Sequence, residues 1–248
     1  MSVKKRIIPL LTTIDSRLVK SIKFDKLIDV GDPIKTAKIF NDSDADELIL
    51  LNIKRNNRTV SDSLKLIDKI AKNCFMPLSV GGGIRSYVDA KNLFNSGADK
   101  VIINSATFEN KKLIEEISIN YGSQSIIVSL DFKKNGNLYD IYSECGTFKQ
   151  NINMKKYIDE IENIGIGEIF INSIDSDGSM KGFDLNLFNF VSQYTKAPLI
   201  GCGGAGNFKH LKDAFLNCNL SAVACGSLFN FGDNNPIRAK NYLSNYNL

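Results

Sequence analysis

Short runs of apolar residues alternate along the chain with longer segments in which apolar residues recur every three or four positions. The short runs contain few polar residues, which is typical of strands buried on both faces of a parallel sheet. The longer segments have the period of amphipathic helices. Eight runs are predicted as strands, at residues 7–11, 47–53, 77–80, 100–104, 125–131, 168–174, 198–201 and 221–225.

Eight strands, each followed by a helical segment, predict one domain over residues 1–248, an α/β fold of the (β/α)8 TIM-barrel class. An internal repeat supports this prediction, since Gly203 follows Gly82 by 121 residues and Gly226 follows Ser105 by the same interval. The repeat indicates two half-barrels, at about residues 1–120 and 121–248. The competing fold, an open doubly wound sheet, is disfavoured because no Gly-x-Gly-x-x-Gly segment follows the first strand.

Glycines end two of the predicted strands, in the part of a barrel that carries its chemistry. Their backbone N–H groups can hold a phosphate without a side chain in the way, and the residues after the next strand lie beside each pair. Two such sites predict a ligand with two phosphates, although tight βα turns alone would also place glycines here. The candidate phosphate- and substrate-binding residues are Gly82, Gly83, Asn104, Ser105, Asn172, Asp177, Gly178, Cys202, Gly203, Gly204, Gly226 and Ser227.

Composition restricts the possible partners. The 31 Lys and Arg residues are dispersed among 27 Asp and Glu, so nucleic acid is not expected as a ligand. No apolar run approaches the roughly 18 residues that a membrane span needs. The five cysteines are in no metal-ligand spacing, which indicates a reduced, cytoplasmic protein without a metal or cofactor. The only histidine, His210, is predicted on a solvated helix face.

Taken together, several segments resemble the cyclase subunit of imidazole glycerol phosphate synthase, the HisF family of histidine biosynthesis. The resemblance covers nearly the whole chain. The isomerase sister family shares the repeat and the phosphate glycines, but the segments at 97–100 and 173–178 favour the cyclase. The segments that carry the resemblance are Lys5-Arg-Ile-Ile8, Gly31-Asp-Pro33, Asp46-Glu-Leu48, Val80-Gly-Gly-Gly-Ile84, Gly97-Ala-Asp-Lys-Val101, Tyr121-Gly-Ser-Gln124, Ser173-Ile-Asp-Ser-Asp-Gly178 and Gly203-Gly-Ala-Gly206.

The resemblance implies a lyase that forms a heterodimer with a HisH-like glutaminase subunit. Ammonia from the glutaminase would pass along the barrel axis to a bis-phosphorylated ribulosyl substrate, with Lys20 of the first loop near that substrate. Asp99 would face the glutaminase. The entrance of the ammonia channel would be closed by salt bridges, unless these charges are only an exposed rim. The four matching positions are Arg6, Glu47, Lys100 and Glu168.

The chain departs from the resemblance at one catalytic position. Ring closure needs two carboxylates, one after the first strand and one after the fifth, which act as general acid and base. Asp131 fits the second position, but Thr12 occupies the first, and a threonine hydroxyl cannot act as a base near neutral pH. The standard cyclase reaction is therefore expected to be impaired.

Three functions stay open at this stage. The chain can be a HisF-like subunit that adds ammonia to a phosphorylated substrate. It can be a paralogue that supplies ammonia for another acceptor, such as a sugar in surface-polysaccharide biosynthesis. It can also be a non-catalytic phosphate-binding protein that activates a glutaminase.

Overall fold

Eight parallel strands close into a barrel in the computed structural model, which describes residues 4–248. The barrel strands follow one another around the axis in chain order, and pairing of the fifth with the sixth completes the circle. This confirms the predicted (β/α)8 fold. All strands, in chain order, are β1 (Arg6–Ile14), β2 (Arg17–Ile22), β3 (Lys26–Gly31), β4 (Leu48–Asn52), β5 (Leu78–Gly81), β6 (Lys100–Ile103), β7 (Ile126–Asn135), β8 (Leu138–Ser143), β9 (Phe148–Lys149), β10 (Glu168–Ser173), β11 (Leu199–Cys202) and β12 (Ala222–Cys225).

The helices surround the barrel and start at residues that favour helix N-termini. Asp32 caps the first helix ahead of a proline, and Ser86 with Asp89 forms a capping box on the third. Among residues 4–248, no helix is long and apolar enough to cross a bilayer. The helices are α1 (Pro33–Asp42), α2 (Ser61–Ala71), α3 (Tyr87–Asn95), α4 (Ser105–Glu109), α5 (Lys112–Tyr121), α6 (Met154–Ile164), α7 (Leu185–Ser192), α8 (Phe208–Asn217), α9 (Ser227–Asn230) and α10 (Pro236–Ser244).

Four strands lie outside the barrel wall and were not among the predicted ones. They are β2, β3, β8 and β9, which pair antiparallel with β1 or β7 or with each other. Lys20, expected in a loop, therefore lies on β2. β1 and β7 are the first strands of the two half-barrels. Each of them extends beyond the carboxyl end of the barrel and pairs there with a hairpin strand, so the two halves share this feature as well.

Inward-facing side chains change in character along each barrel strand. Successive side chains of a strand point to opposite faces, so every second residue of β1 faces the axis. From the amino end these residues are Arg6, Ile8, Leu10 and Thr12, and β10 repeats the order with Glu168, Phe170 and Asn172. Each column thus runs from a charged group through apolar groups to a polar group.

The middle of the barrel is a packed apolar layer, as is usual for this fold. The layer is distinct from the larger core between the strands and the helices. It separates the charged end of the barrel from the polar end. Its buried members are Ile8, Leu10, Ile49, Ile102, Ile127, Phe170, Ile200, Cys202, Ala222 and Ala224.

Truncation of Phe170 tests how much this layer contributes to stability. Phe170 is fully buried, so Phe170→Ala is expected to lower the free energy of unfolding by about 3–5 kcal/mol. The control is Phe75→Ala, because Phe75 is 91% exposed and its loss is expected to change stability by less than about 0.5 kcal/mol. Urea denaturation measures both, and similar changes in the two variants would contradict a packed barrel interior.

Candidate active site

The carboxyl ends of the barrel strands surround a cavity of about 520 Å³. Its wall is formed by strand ends from both half-barrels and by the β2–β3 hairpin. Six of the predicted substrate-binding residues do not line the cavity: Gly178, Cys202, Gly203, Gly204, Gly226 and Ser227. The predicted residues that line the cavity are Thr12, Lys20, Gly82, Gly83, Asn104, Ser105, Asp131, Asn172 and Asp177.

Asp131 is a buried carboxylic acid on β7, where the barrel part of the strand ends and its hairpin extension begins. One carboxylate oxygen accepts a hydrogen bond of 3.0 Å from Nδ2 of Asn104. Burial, aided by the negative charge of Asp177, raises the pKa of Asp131 to about 7, although the Ser129 hydroxyl, the Arg58 charge and the Asn172 amide oppose the shift. An acid with a pKa near 7 can both accept and release a proton at neutral pH.

Asn172 lies beside Asp131 in the β7–β10 register and is also buried. Its Oδ1 accepts no hydrogen bond from any group in the part of the chain that the structure describes. A buried acceptor without a donor costs about 1–3 kcal/mol. Because Asn172 lines the cavity, this oxygen is available to an N–H or O–H group of a ligand.

Thr12, at the equivalent end of β1, has its hydroxyl proton engaged. Its Oγ1 donates to the carbonyl of Val19 on β2, and the side chain is buried. A carboxylate at this position would face that carbonyl, which is also an acceptor. The hairpin therefore favours a donor at residue 12.

Lys20 is a buried lysine on β2. Burial lowers its pKa, although Asp177 and the thiols of Cys202 and Cys225 act in the opposite direction. Within residues 4–248 its ammonium group forms no salt bridge, and it lies so close to Gly226 that a Cβ there would overlap it. An anion bound here would compensate the buried charge.

The two glycine pairs have backbone conformations that other residues rarely adopt. Gly82 and Gly83 have φ of 99° and 86°, and Gly203 and Gly204 have φ of 97° and 109°. The neighbouring Cys202 is buried, and burial raises the pKa of its thiol to about 12. This thiol stays protonated at neutral pH, so it is not an activated nucleophile.

Asp177 holds the hairpin over the cavity. Its Oδ2 accepts hydrogen bonds from the Ser21 hydroxyl at 2.7 Å and from the Phe24 amide at 3.2 Å. Gly178 packs directly against the Ser21 carbonyl, where a Cβ would overlap it. These residues therefore connect the segment after β10 to the hairpin, and Asp177 does not present a free carboxylate.

Arg58 is a cavity residue that the sequence analysis did not select. Its Nη1 lies 3.4 Å from the carbonyl of Asn52 and 3.0 Å from Sγ of Cys145. The only signal in the sequence was the basic cluster at residues 54–58 after the second barrel strand. The guanidinium adds a positive charge to the cavity wall.

Four charges form a closed ring at the opposite, amino end of the barrel, which we term the charged gate: Arg6, Glu47, Lys100 and Glu168. Arg6 contacts Glu47 at 2.7 Å and forms two hydrogen bonds with Glu168. Lys100 contacts Glu47 at 3.1 Å and Glu168 at 2.7 Å. Each charge therefore touches both opposite charges, and the ring is not an exposed rim.

The gate holds the carboxylate of Glu168 in its ionised form. Burial alone would favour the neutral form of Glu168, but hydrogen bonds and charge attraction from Arg6 and Lys100 outweigh it and lower the pKa. Asp99, at the same end of the barrel, is exposed and accepts a hydrogen bond of 2.8 Å from the Leu78 amide. No group of three His, Cys, Asp or Glu side chains among residues 4–248 is arranged to hold a metal ion.

Comparison with known protein families shows a match over most of the chain. The model of a family described as histidine biosynthesis protein matches residues 6–235. The match includes all eight barrel strands, the charged gate and the cavity.

The raised pKa of Asp131 predicts a specific pH dependence of stability. Between about pH 4 and pH 7 the folded protein keeps a proton that the unfolded chain has released, so this group makes stability fall as the pH rises. Asp131→Asn removes the effect. Between pH 4.5 and 8 the stability of the variant relative to the wild type should rise by about 3 kcal/mol in urea denaturation. Parallel pH curves for the two proteins would contradict this prediction.

The gate predicts the opposite pH dependence. Because the pKa of Glu168 is lowered, its stabilising effect is present above the ordinary glutamate value of about 4.3 and is lost as the pH falls below it. Glu168→Gln leaves both cations undercompensated and should cost about 3–5 kcal/mol at pH 7, and less below pH 4. The control Asp140→Asn removes an exposed pair with Lys149 and should cost at most about 1 kcal/mol. Equal losses at pH 7 would show that the gate is not a buried network.

Proposed function

The chain belongs to the histidine biosynthesis protein family, whose members are isomerases and cyclases on this barrel, and on that premise we propose that it is a HisF-like subunit of a glutamine amidotransferase. In this function a HisH-like glutaminase docks at the amino end of the barrel and supplies ammonia. The ammonia crosses the barrel and is added to a phosphorylated substrate in the cavity.

One observation carries the proposal: a closed ring of charges and a proton-transfer site lie on the same inward-facing columns, at opposite ends of the barrel. Arg6 and Thr12 share β1, and Glu168 and Asn172 share β10. A barrel that works only at its carboxyl end has no need for two buried carboxylates and two half-buried cations at the other end, because desolvation makes such groups costly. A function in which a small molecule enters the barrel at its amino end would explain the gate.

The apolar layer between the two ends supports ammonia as the entering molecule. Neutral ammonia is small and carries no charge, whereas an ammonium ion would lose its hydration without compensation beside Phe170 and its neighbours. Docking of a glutaminase on the face that carries Asp99 would bring its product to the gate. Exchange of the gate's salt bridges for bonds to the partner would open the path.

The cavity supports proton transfer to and from the transferred nitrogen. Asp131 accepts a proton in its ionised form and returns one in its neutral form, while Asn104 fixes its orientation. The unpartnered Oδ1 of Asn172 provides an acceptor for an N–H group of the bound nitrogen or of the substrate. In the cavity, Lys20 supplies the positive charge and Gly82 and Gly83 the backbone groups that a phosphate needs.

Thr12 favours a second candidate function. Thr12 places a hydroxyl that donates to the Val19 carbonyl where β1 would otherwise offer a carboxylate, so β1 supplies no acid/base counterpart to Asp131. A reaction that needs only one acid/base group suits this cavity better than one that needs two. The second candidate is therefore a paralogue that supplies ammonia for another acceptor, such as a sugar in surface-polysaccharide biosynthesis.

The decisive experiment measures turnover of the bis-phosphorylated ribulosyl substrate of the cyclase family, with a high concentration of ammonium in place of the glutaminase. If the chain is a cyclase, the wild type turns over and Asp131→Asn loses about 10²–10⁴-fold in rate. Asp140→Asn, which removes the pair with Lys149 on β8, is the matched control and should retain full activity.

The other outcomes separate the remaining functions. An inactive wild type with turnover in Thr12→Asp would support the paralogue, because one substitution would then restore the missing acid/base group. Activation of a HisH-like glutaminase without turnover in either protein would support the non-catalytic activator. Absence of both turnover and activation would exclude every function that uses ammonia.

A further inference from the structure

His210, the only histidine of the chain, does not lie on a solvated helix face. It is the third residue of α8, and its half-buried side chain turns back toward the loops at the carboxyl end of the barrel. Its Nδ1 accepts a hydrogen bond of 3.1 Å from the Gly206 amide. Gly206 belongs to the β11 loop, residues 203–207, which begins with the glycine pair of the second predicted phosphate site.

The bond differs from an ordinary helix cap. In a capping box, the third helical side chain bonds the amide of the cap residue itself, which here is Asn207. Asn207 already caps α8, since its Oδ1 accepts from the His210 amide at 3.1 Å. The His210 imidazole instead accepts from the amide of Gly206, the residue before the cap. It therefore holds the β11 loop that precedes α8.

The same ring also faces the β10 loop, residues 174–184, across a space that a Cβ on Gly182 would fill. An ideal Cβ on Gly182 would lie 3.7 Å from Cδ2 and Nε2 of His210, which places the ring over the backbone of that loop. The two loops are pressed together beneath it: the Gly182 amide donates to the Gly204 carbonyl at 2.8 Å, and a Cβ on Gly206 would overlap the Met180 carbonyl.

This packing holds backbone conformations that are unfavourable without support. Met180 has φ of 57°, a left-handed conformation that costs a residue with a side chain about 1–2 kcal/mol. Such a conformation persists only where the surroundings determine it, and His210 bonds the β11 loop and faces the β10 loop.

We propose that His210 is a positioning residue for the second phosphate site: its Nδ1 fixes the Gly206 amide, and its ring fixes Gly182, so that Gly203 and Gly204 present their backbone to a phosphate. This rests on the phosphate-binding part of the proposed function. His210 does not touch the phosphate itself.

Two substitutions separate the acceptor from the ring. His210→Asn keeps an acceptor at the δ position, and His210→Phe keeps the ring but leaves the Gly206 amide without a partner. We expect the Kd for inorganic phosphate, measured by calorimetry, to rise roughly 5- to 30-fold in His210→Phe and to stay within about 3-fold in His210→Asn. Lys209→Ala, which breaks a salt bridge with Asp213 in the same helical turn, is the matched control with unchanged binding.

Hydrogen exchange locates the effect in the ligand-free protein. Exchange of the 203–207 segment should accelerate in His210→Phe, while the 82–84 segment and the rest of α8 keep wild-type rates. A merely structural role would instead accelerate exchange throughout α8 and lower the midpoint of urea unfolding in both variants. That result, or wild-type affinity and exchange in His210→Phe, would overturn the inference.

Phosphate itself distinguishes this failure from failure of the proposed function. Phosphate should slow exchange at residues 203–207 of the wild type. If it slows exchange at neither glycine pair, the phosphate sites of the proposed function are wrong, and the inference falls with them. If it slows exchange there equally in the wild type and in His210→Phe, only the inference is wrong.

Discussion

Pairing of β7 with β10 is the contact on which the rest of the structure depends, because it closes the sheet. A closed sheet has a single interior and two ends, so each inward side chain belongs to one level of that interior. The same register sets Asn172 beside Asp131 at one end and places Glu168 at the other. Every second residue of a strand points inward, and in a closed sheet the inward residues at the same height on different strands meet. They form layers that extend across the whole barrel.

The two ends of the barrel differ in how the free-energy cost of burying polar and charged groups is compensated. At the amino end four charges are desolvated but compensate one another, which makes that end rigid and specific in its pairing. At the carboxyl end Asp131, Asn172 and Lys20 are buried with incomplete compensation. Binding sites often contain buried polar groups that only a ligand compensates, and this lowers the stability of the ligand-free fold. The apolar layer between the two ends offsets that loss.

The barrel could be predicted from the sequence because its signals are local. Each strand is a short apolar run, and Gly82 and Gly203 mark equivalent strand ends in the repeat. The hairpin strand β3 could not be predicted, since its apolar residues Leu27, Ile28 and Val30 do not alternate regularly with polar ones and most of the strand is exposed. The engaged hydroxyl of Thr12 depends on that hairpin, and the contacts of Arg58 and His210 depend on loops that meet only in the fold. The sequence thus indicates which residues lie at the carboxyl end of the barrel. It does not indicate which of their donor and acceptor atoms already form hydrogen bonds within the protein.

The apolar layer has a consequence for transport through the barrel. Side chains such as Phe170 and Ile127 are fully buried and pack in one apolar cluster between the gate and the cavity. A molecule can cross only when neighbouring side chains change rotamer together, and such fluctuations last nanoseconds to microseconds. If ammonia crosses the barrel as proposed, the interior selects by the duration of these openings as well as by polarity: a small neutral molecule needs one brief opening, whereas a hydrated ion or a chain of waters needs a wider and longer one. The speed of delivery would be set by the motion of the core rather than by the width of a channel.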